Sequence, residues 1–396
     1  MKMIPYSHQT IDSQDIKEVA KVLRSGWITQ GPKIKEFEAA LCKYTGAKYA
    51  VAVSSGTAAL HISCLAAGIE KNDEVITSPI TFAASANSII YCGARPVFAD
   101  VEPDTANIDP REIRKKITKR TKAIIPVHFA GNPCDLKEIN KIAKKNKLIV
   151  IEDAAHALGA KYRSSGKWVK VGSGRHSDMT IFSFHPLKSI TTGEGGAILT
   201  NNKDFYRKLL LLRNHGITKE KNMFKAKNKK TIGSWYYEMQ DLGFNYRITD
   251  FQCALGISQL KRIDKFISKR RGIVKIYNKE LSKIDNIELP VQKRDVKSAW
   301  HLYQIRLKTK TNTNAKRKKV FDYLRKKGIG VQVHYIPVYL QPFYQKLGYK
   351  KGLCPKAEIF YQRTISLPLY PRLKSPEIKK IVSAIKDITG RLIQEK

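Results

Sequence analysis

Between residues 48 and 152, short apolar runs alternate with amphipathic segments, and no other feature constrains the fold as strongly. Residues 48–54, 74–77, 96–100, 123–128 and 148–152 read as strands. Residues 57–67, 82–91, 111–118 and 136–145 read as the helices between them. Repeated strand–helix–strand units imply parallel strands joined by right-handed crossovers. Two further strand-like runs follow at 179–184 and 197–200. An α/β fold with a central, mostly parallel sheet is expected.

Beyond this region Asp250, after Arg247-Ile248-Thr249, reads as a helix N-cap. Apolar residues then recur at three- and four-residue steps to position 284, which predicts one long linking helix over 251–285. The tail has its own cycle: strand-like 302–307, helix 320–327, strand-like 331–334 and helix 376–392. The expected organisation is a large domain over 1–250, the linking helix, and a smaller α/β domain over 286–396.

Composition removes several alternatives. With 42% apolar and 27% charged residues in 396, the chain has ample material for a core, so dominant disorder is excluded. The uncharged stretches 49–69 and 75–94 are interrupted by Ser, Thr, Asn and His, so they read as buried core and not as membrane spans. Six cysteines lie no closer than 22 residues apart and form no CxxC, which argues against a zinc ribbon, a thioredoxin-like site and a disulfide scaffold. The first residues lack the apolar stretch of a signal peptide, and a reduced cytoplasm is the expected setting.

The formal charge of +39 requires an explanation. Residues 218–230 hold six lysines against one glutamate, and residues 306–319 hold seven basic residues and no acid. Neither run is interleaved with aromatics, and there is no zinc-finger or RRM spacing. Solvated lysine faces are the plain reading and a polyanion surface is the alternative. A nucleic-acid-binding regulator is the rival from another functional class. No specific nucleic acid, metal or membrane partner is expected, and a basic surface also attracts a diphosphate-bearing small substrate.

Four local features carry chemistry. Ser54-Ser55-Gly56-Thr57-Ala58 sits where a strand turns into a helix, a place whose free N–H groups suit a phosphate. Asp153 ends the strand 148–152, with His156 three residues on, where α/β sheets place ligands. Lys188 leaves the run Phe182-Ser183-Phe184-His185-Pro186-Leu187 among uncharged neighbours, a setting that lowers an amine's pKa and makes it nucleophilic. Gly243-Phe244-Asn245-Tyr246-Arg247 offers an amide and a guanidinium two residues apart for an anionic group. Taken singly, each also has an ordinary reading: turn packing, a helix cap, a surface lysine, a structured turn. Together they follow the order of pyridoxal 5′-phosphate enzymes, with a phosphate turn, an aspartate, and a Schiff-base lysine 35 residues after it.

The segments 25–38 (SGWITQGPKIKEFE), 54–60 (SSGTAAL), 78–87 (SPITFAASAN), 152–158 (EDAAHAL), 182–188, 192–197 (TGEGGA) and 243–255 (GFNYRITDFQCAL) carry a resemblance over nearly the whole chain. The chain resembles the DegT/DnrJ/StrS sugar aminotransferases, pyridoxal-phosphate enzymes of the aspartate-aminotransferase fold. Tyr6, Gly26-Trp27-Ile28-Thr29, the GFNYRITDFQ run and Val331-Gln332-Val333-His334-Tyr335 look most like the branch that makes pseudaminic acid.

The resemblance implies that Lys188 is the Schiff-base lysine, that Asp153 keeps the cofactor's ring nitrogen protonated, and that His156 lies beside the ring. It implies that Phe82 stacks on the ring, and that Gly56, Thr57 and Ser183 hold the phosphate, joined by Asn245 of a second subunit in a homodimer. Arg247 would receive the carboxylate of the amino donor, L-glutamate. Tyr6, Gly26–Thr29, His334 and Tyr335 would line the site of a UDP-linked keto-sugar aminated at C4. A 3-aminotransferase and a dTDP- or GDP-sugar enzyme are the alternatives. Relatives with histidine in place of the lysine dehydrate instead, and Lys188 favours transamination. Phe82 stands where some relatives carry an indole, a change that leaves stacking possible.

Overall fold

The computed structural model describes residues 3–225, 233–308 and 313–394. Seven strands make the central sheet: β1 (Tyr49–Val53), β2 (Glu74–Thr77), β3 (Arg95–Phe98), β4 (Thr121–Ile125), β5 (Ile149–Asp153), β6 (Met179–Ser183) and β7 (Gly196–Thr200). Their order is β1-β7-β6-β5-β4-β2-β3. Only β7 runs against the rest, pairing antiparallel with both β1 and β6. β2 and β7 are buried along their whole length and the other inner strands along most of theirs, as a sheet covered on both faces requires.

The covering helices begin with α1 (Ser13–Leu23) and α2 (Pro32–Thr45). Then come α3 (Gly56–Ala66), α4 (Ala84–Tyr91), α5 (Pro110–Lys116), α6 (Leu136–Lys145) and α7 (Lys203–Arg213). α3 is apolar on nearly every side and almost wholly buried, because it lies between the sheet, α4 and α7.

The segment expected as one helix is two: α8 (Asp250–Leu260) and α9 (Ile263–Leu281), broken at Lys261-Arg262. The apolar periodicity runs through the break because both helices bury the same side, with Leu260, Ile263, Phe266 and Ile267 all covered. The N-cap of α8 is Thr249, not Asp250: Thr249 and Gln252 form a capping box. Asp250 instead turns its carboxylate to the start of α2, accepting from the Gly31 N–H at 2.8 Å and the Lys33 N–H at 2.9 Å. It thereby supplies the cap that Gly31 has no side chain to provide.

The C-terminal part builds a second antiparallel sheet from β8 (Ile287–Glu288), β9 (Tyr303–Leu307) and β10 (Thr364–Leu367), with β9 in the middle. α9 and the helices Thr313–Lys326 and Ser375–Gln394 close over a core that includes Tyr277, Tyr303, Ile305, Val320, Leu324, Ile365 and Ile381. Residues 331–334 are not a strand; Gln332 makes a lone bridge to Ser366. That segment is steered to the large sheet by other contacts. Ile4 and Ile329 bridge in parallel, the Gly330 N–H bonds the Ile4 carbonyl at 2.7 Å, and the Val338 N–H bonds the Pro79 carbonyl at 3.0 Å. The N-terminus and the 331–338 segment therefore arrive together over the strand ends. No helix among the described residues is long and apolar enough to cross a membrane. Parts of both basic runs, 226–230 and 309–312, lie outside the described residues.

Candidate active site

A cavity of about 440 Å³ opens at the C-terminal ends of β4, β5 and β6. Its wall gathers ten of the residues singled out from sequence: Tyr6, Gly56, Thr57, Phe82, Asp153, His156, Ser183, Lys188, His334 and Tyr335. Parallel strands leave such a crevice at their carboxyl ends, and the loops after them carry the side chains.

Asp153 is buried at the last position of β5. One carboxylate oxygen accepts from the Ser85 hydroxyl at 2.6 Å, and the other from the Ala155 N–H at 3.1 Å. Ser85 is itself 2.7 Å from the Thr81 hydroxyl, so the loop into α4 holds the acid in one orientation.

Lys188 lies across the cavity on the loop after β6. Burial lowers its amine to about 8, with the Asp153 charge opposing the drop. At pH 7 about a tenth of such an amine is neutral, against well under a thousandth for an ordinary lysine, and the neutral form is the nucleophile.

Three imidazoles stand beside these two. His156 is buried, its Nε2 3.3 Å from the Tyr335 hydroxyl and its Nδ1 without a partner among the described residues. Its ring lies 4.2 Å from that of His301, whose Nδ1 also lacks a partner. His334 pairs with the Ser366 hydroxyl at 2.8 Å. Burial, helped by Lys188, lowers His334 to about 4. Burial likewise pushes His156 well below the usual imidazole range, with Lys188 and His334 adding to it. His301 is depressed first by burial and then by His156. All three are neutral at physiological pH.

The opposite wall is the start of α3. Ser55 caps the helix by accepting from the Ala58 N–H, which leaves the Gly56 and Thr57 N–H groups directed out of the helix end. A Cβ at Gly56 would stand 2.9 Å from the Ser183 Cβ, so only glycine keeps this cradle open. The N–H groups, the Thr57 and Ser183 hydroxyls and the helix dipole suit a phosphate. Phe82, 63% exposed, stands at the mouth, 6.4 Å from the Tyr335 ring.

The remaining sequence-derived residues lie elsewhere. Trp27 and Ile28 are exposed, and Thr29 bridges to Thr249 next to α8. Neither they nor Gly26 line this cavity. Asn245 is exposed and bridges to Asn214; Arg247 donates to the Asn214 side chain at 2.7 Å and faces a different, larger cleft.

Two residues were missed. Ser85 was visible as one of the few hydroxyls in an apolar helix start. His301 had no sequence signal. It is positioned because the turn 128–132, with Gly131 at φ +86°, offers the Ala130 carbonyl to the His301 N–H. Among the described residues no group of acidic, His and Cys side chains is arranged to hold a metal.

The model of the DegT/DnrJ/EryC1/StrS aminotransferase family matches residues 9–386. The chain belongs to this family. Its members are pyridoxal-phosphate-dependent sugar aminotransferases, and the expected fold and cofactor class hold for this chain. The UDP-4-amino-4,6-dideoxy-N-acetyl-beta-L-altrosamine transaminase of Campylobacter jejuni is 41% identical over 98% of both chains. The spore coat polysaccharide biosynthesis protein SpsC of Bacillus subtilis is 41% identical over 97% of both. Among solved structures, the pyridoxamine-phosphate form of the putative sugar aminotransferase Spr1654 from Streptococcus pneumoniae superposes with a TM-score of 0.90. It is 33% identical, with 98% of this chain and 99% of that one covered.

The cavity fits the family's cofactor on its own evidence. It offers an anion cradle that a Cβ would fill, a fixed buried carboxylate, an amine of lowered pKa, and two orphaned imidazole nitrogens.

Proposed function

We propose that this chain transfers the amino group of L-glutamate to C4 of a UDP-linked 4-keto-6-deoxy-N-acetylhexosamine, giving a UDP-4-amino-4,6-dideoxy sugar for a surface glycan of the pseudaminic-acid type. The observation that carries transamination is the placement of Lys188, Asp153 and the Gly56–Thr57 cradle on three walls of one cavity. The choice of sugar rests on the likeness to the Campylobacter transaminase over almost the whole chain.

Pyridoxal phosphate, when bound, supplies a covalent amino carrier and an electron sink for the α-carbanion. The protein does the rest. Gly56, Thr57 and Ser183 would hold the cofactor's phosphate, and Phe82 would lie against its ring. Asp153, held by Ser85, would present its carboxylate to the ring nitrogen and keep that nitrogen protonated. Lys188 Nζ would take the proton from the donor's α-carbon and hold it for return, a role worth about 10²- to 10⁴-fold. In the second half-reaction Lys188 would deliver a proton to the sugar's C4. Glutamate would leave as 2-oxoglutarate, its new keto oxygen taken up from water, and the keto oxygen of the sugar would then leave as water. Tyr6, His334 and Tyr335 line the part of the cavity where the nucleotide sugar would lie. Neutral imidazoles at 156, 301 and 334 keep further positive charge away from Lys188.

Asn245 and Arg247 do not line their own chain's cavity, and Trp27 and Ile28 are exposed. Their proposed roles toward phosphate, donor carboxylate and sugar therefore require a second copy of the chain, in a homodimer with shared sites. The test is amination of a panel of UDP-, dTDP- and GDP-linked keto-sugars with L-glutamate, read by mass spectrometry. Turnover of the UDP-4-keto-N-acetyl sugar is expected, and product only from a 3-keto sugar or another nucleotide would overturn the assignment.

A further inference from the structure

The edge strand β3 and part of the segment 342–353 line a separate cleft of about 540 Å³, and none of its residues lines the cavity of Lys188. Five basic side chains line this cleft: Arg95, Lys115, Lys116, Lys350 and Lys351. Its one acid, Glu74, is already committed, accepting from Arg120 at 2.5 Å and from the Thr118 hydroxyl at 2.6 Å. Lys115 pairs with Glu112 at 3.0 Å. The other four cations have no acidic partner among the described residues. The segment 342–353 itself contains no Asp or Glu.

Two buried tyrosines fix how that segment is presented. The Tyr344 hydroxyl donates to the Asn87 side chain at 2.6 Å, and the Tyr349 hydroxyl to the Pro96 carbonyl at 2.5 Å. Both rings meet Phe98 edge-on, at 6.0 and 5.4 Å. With the tyrosines turned inward, their neighbours face water. Phe343 is 54% exposed, Leu347 50% and Leu353 36%, beside exposed Lys346, Lys350 and Lys351. Phe343 and Leu347 belong to the short helix Pro342–Lys346 and its C-cap, and four residues apart they share a face. Arg95 stands over the Tyr349 ring at 5.8 Å, so the sheet edge and the segment meet in the cleft.

We propose that this face docks on a membrane surface rich in anionic phospholipid, with lipid phosphates in the basic cleft and Phe343, Leu347 and Leu353 in the headgroup layer. Exposed Phe and Leu set among lysines is the chemistry of an element that lies on a bilayer. A nucleic acid would use the lysines but leave the apolar side chains in water, and the segment offers its bases one exposed ring, Phe343. A soluble phosphate would use the cleft alone. The chain lies on the bilayer and does not span it, in keeping with the lack of a long apolar helix among the described residues. The two edges of the cleft come from segments far apart in the chain, so no local sequence pattern marks this surface.

The test is flotation of the holoenzyme with vesicles of phosphatidylglycerol and phosphatidylcholine in equal parts, and with phosphatidylcholine alone. Binding to the anionic vesicles only is expected, and it should weaken as added salt shortens the screening length. Lys350→Gln with Lys351→Gln should lower partitioning about thirtyfold. Phe343→Ser with Leu347→Ser should lower it at least about tenfold and keep its salt dependence. A charge of +39 attracts any anionic surface, so a control removes two exposed lysines of α9, Lys275→Gln with Lys279→Gln. That control should bind within about threefold of wild type, because the attraction fades within a screening length. An unchanged thermal midpoint shows that each variant is folded. Failure of the wild type to float with anionic vesicles, equal losses in the control and the Lys350/Lys351 variant, or capture of inorganic pyrophosphate or an oligonucleotide without vesicle binding overturns the proposal.

Discussion

The Ser85 hydroxyl donates to the Asp153 carboxylate at 2.6 Å, so the acid at the end of β5 is fixed by the first turn of α4 and not by a charged partner. Hydrogen bonds to charged groups contribute about 1.5–3 kcal/mol. Ser85→Ala should leave the fold intact and weaken cofactor retention by about ten- to a hundredfold, measured by pyridoxal phosphate titration of the stripped protein. Unchanged affinity would show that Asp153 needs no such support.

Gly56→Ala should act on the opposite wall. The added methyl meets the Ser183 Cβ at 2.9 Å and narrows the phosphate cradle. Affinity for pyridoxal phosphate is expected to fall at least tenfold, about 1.4 kcal/mol. Affinity for pyridoxal, which has no phosphate, should change far less. Equal losses for both would move the phosphate elsewhere.

The Lys188 amine should titrate early. Lowered to about 8, it is half neutral there, against about 10.4 for an ordinary lysine. In stripped protein its rate of reaction with a small amine reagent should rise through about pH 8. Because Asp153 opposes the lowering, Asp153→Asn should move that midpoint further down. A wild-type midpoint near that of surface lysines would remove the nucleophile argument.

The imidazoles make stability depend on acid. His156, His301 and His334 are all depressed in the fold. Below about pH 6.5 the unfolded chain takes up protons that the folded chain does not. Stability is therefore full above that pH and is lost as pH falls, by about 1.4 kcal/mol per unit for each group. For His334 the loss continues down to about pH 4. His334→Asn should flatten the decline of the thermal midpoint between pH 6.5 and 5, and an unaltered slope would show that this ring is not the cause.

Asp250 caps α2 from about 220 residues away in sequence. Asp250→Ala should cost about 0.5–2 kcal/mol in urea unfolding, with Asp250→Asn less harmful. A neutral Asp250→Ala would return the residue to the ordinary role of a first-turn acid.

The parallel strands were legible because buried strands read as continuous apolar runs, and Leu148–Glu152 with Asp153 behind it marks a strand end directly. The helix break at 261–262 was not, since both helices bury one continuous stripe and no proline or glycine marks the joint. Asp250 was misread by one position because Thr249 and Gln252 complete a box that leaves its carboxylate free for α2. His301 and the approach of His334 depend on contacts far apart in sequence, the turn at Gly131 and the pairing of Ile4 with Ile329, which no local pattern records.

The most direct test is the absorption spectrum of the purified protein with pyridoxal phosphate, before and after L-glutamate, with Lys188→Ala beside it. The wild type should be yellow, lose that band on adding glutamate and release one equivalent of 2-oxoglutarate, while Lys188→Ala shows no release. A colourless wild type that takes up no cofactor, or a Lys188→Ala variant that releases 2-oxoglutarate as fast as wild type, would contradict the site described here.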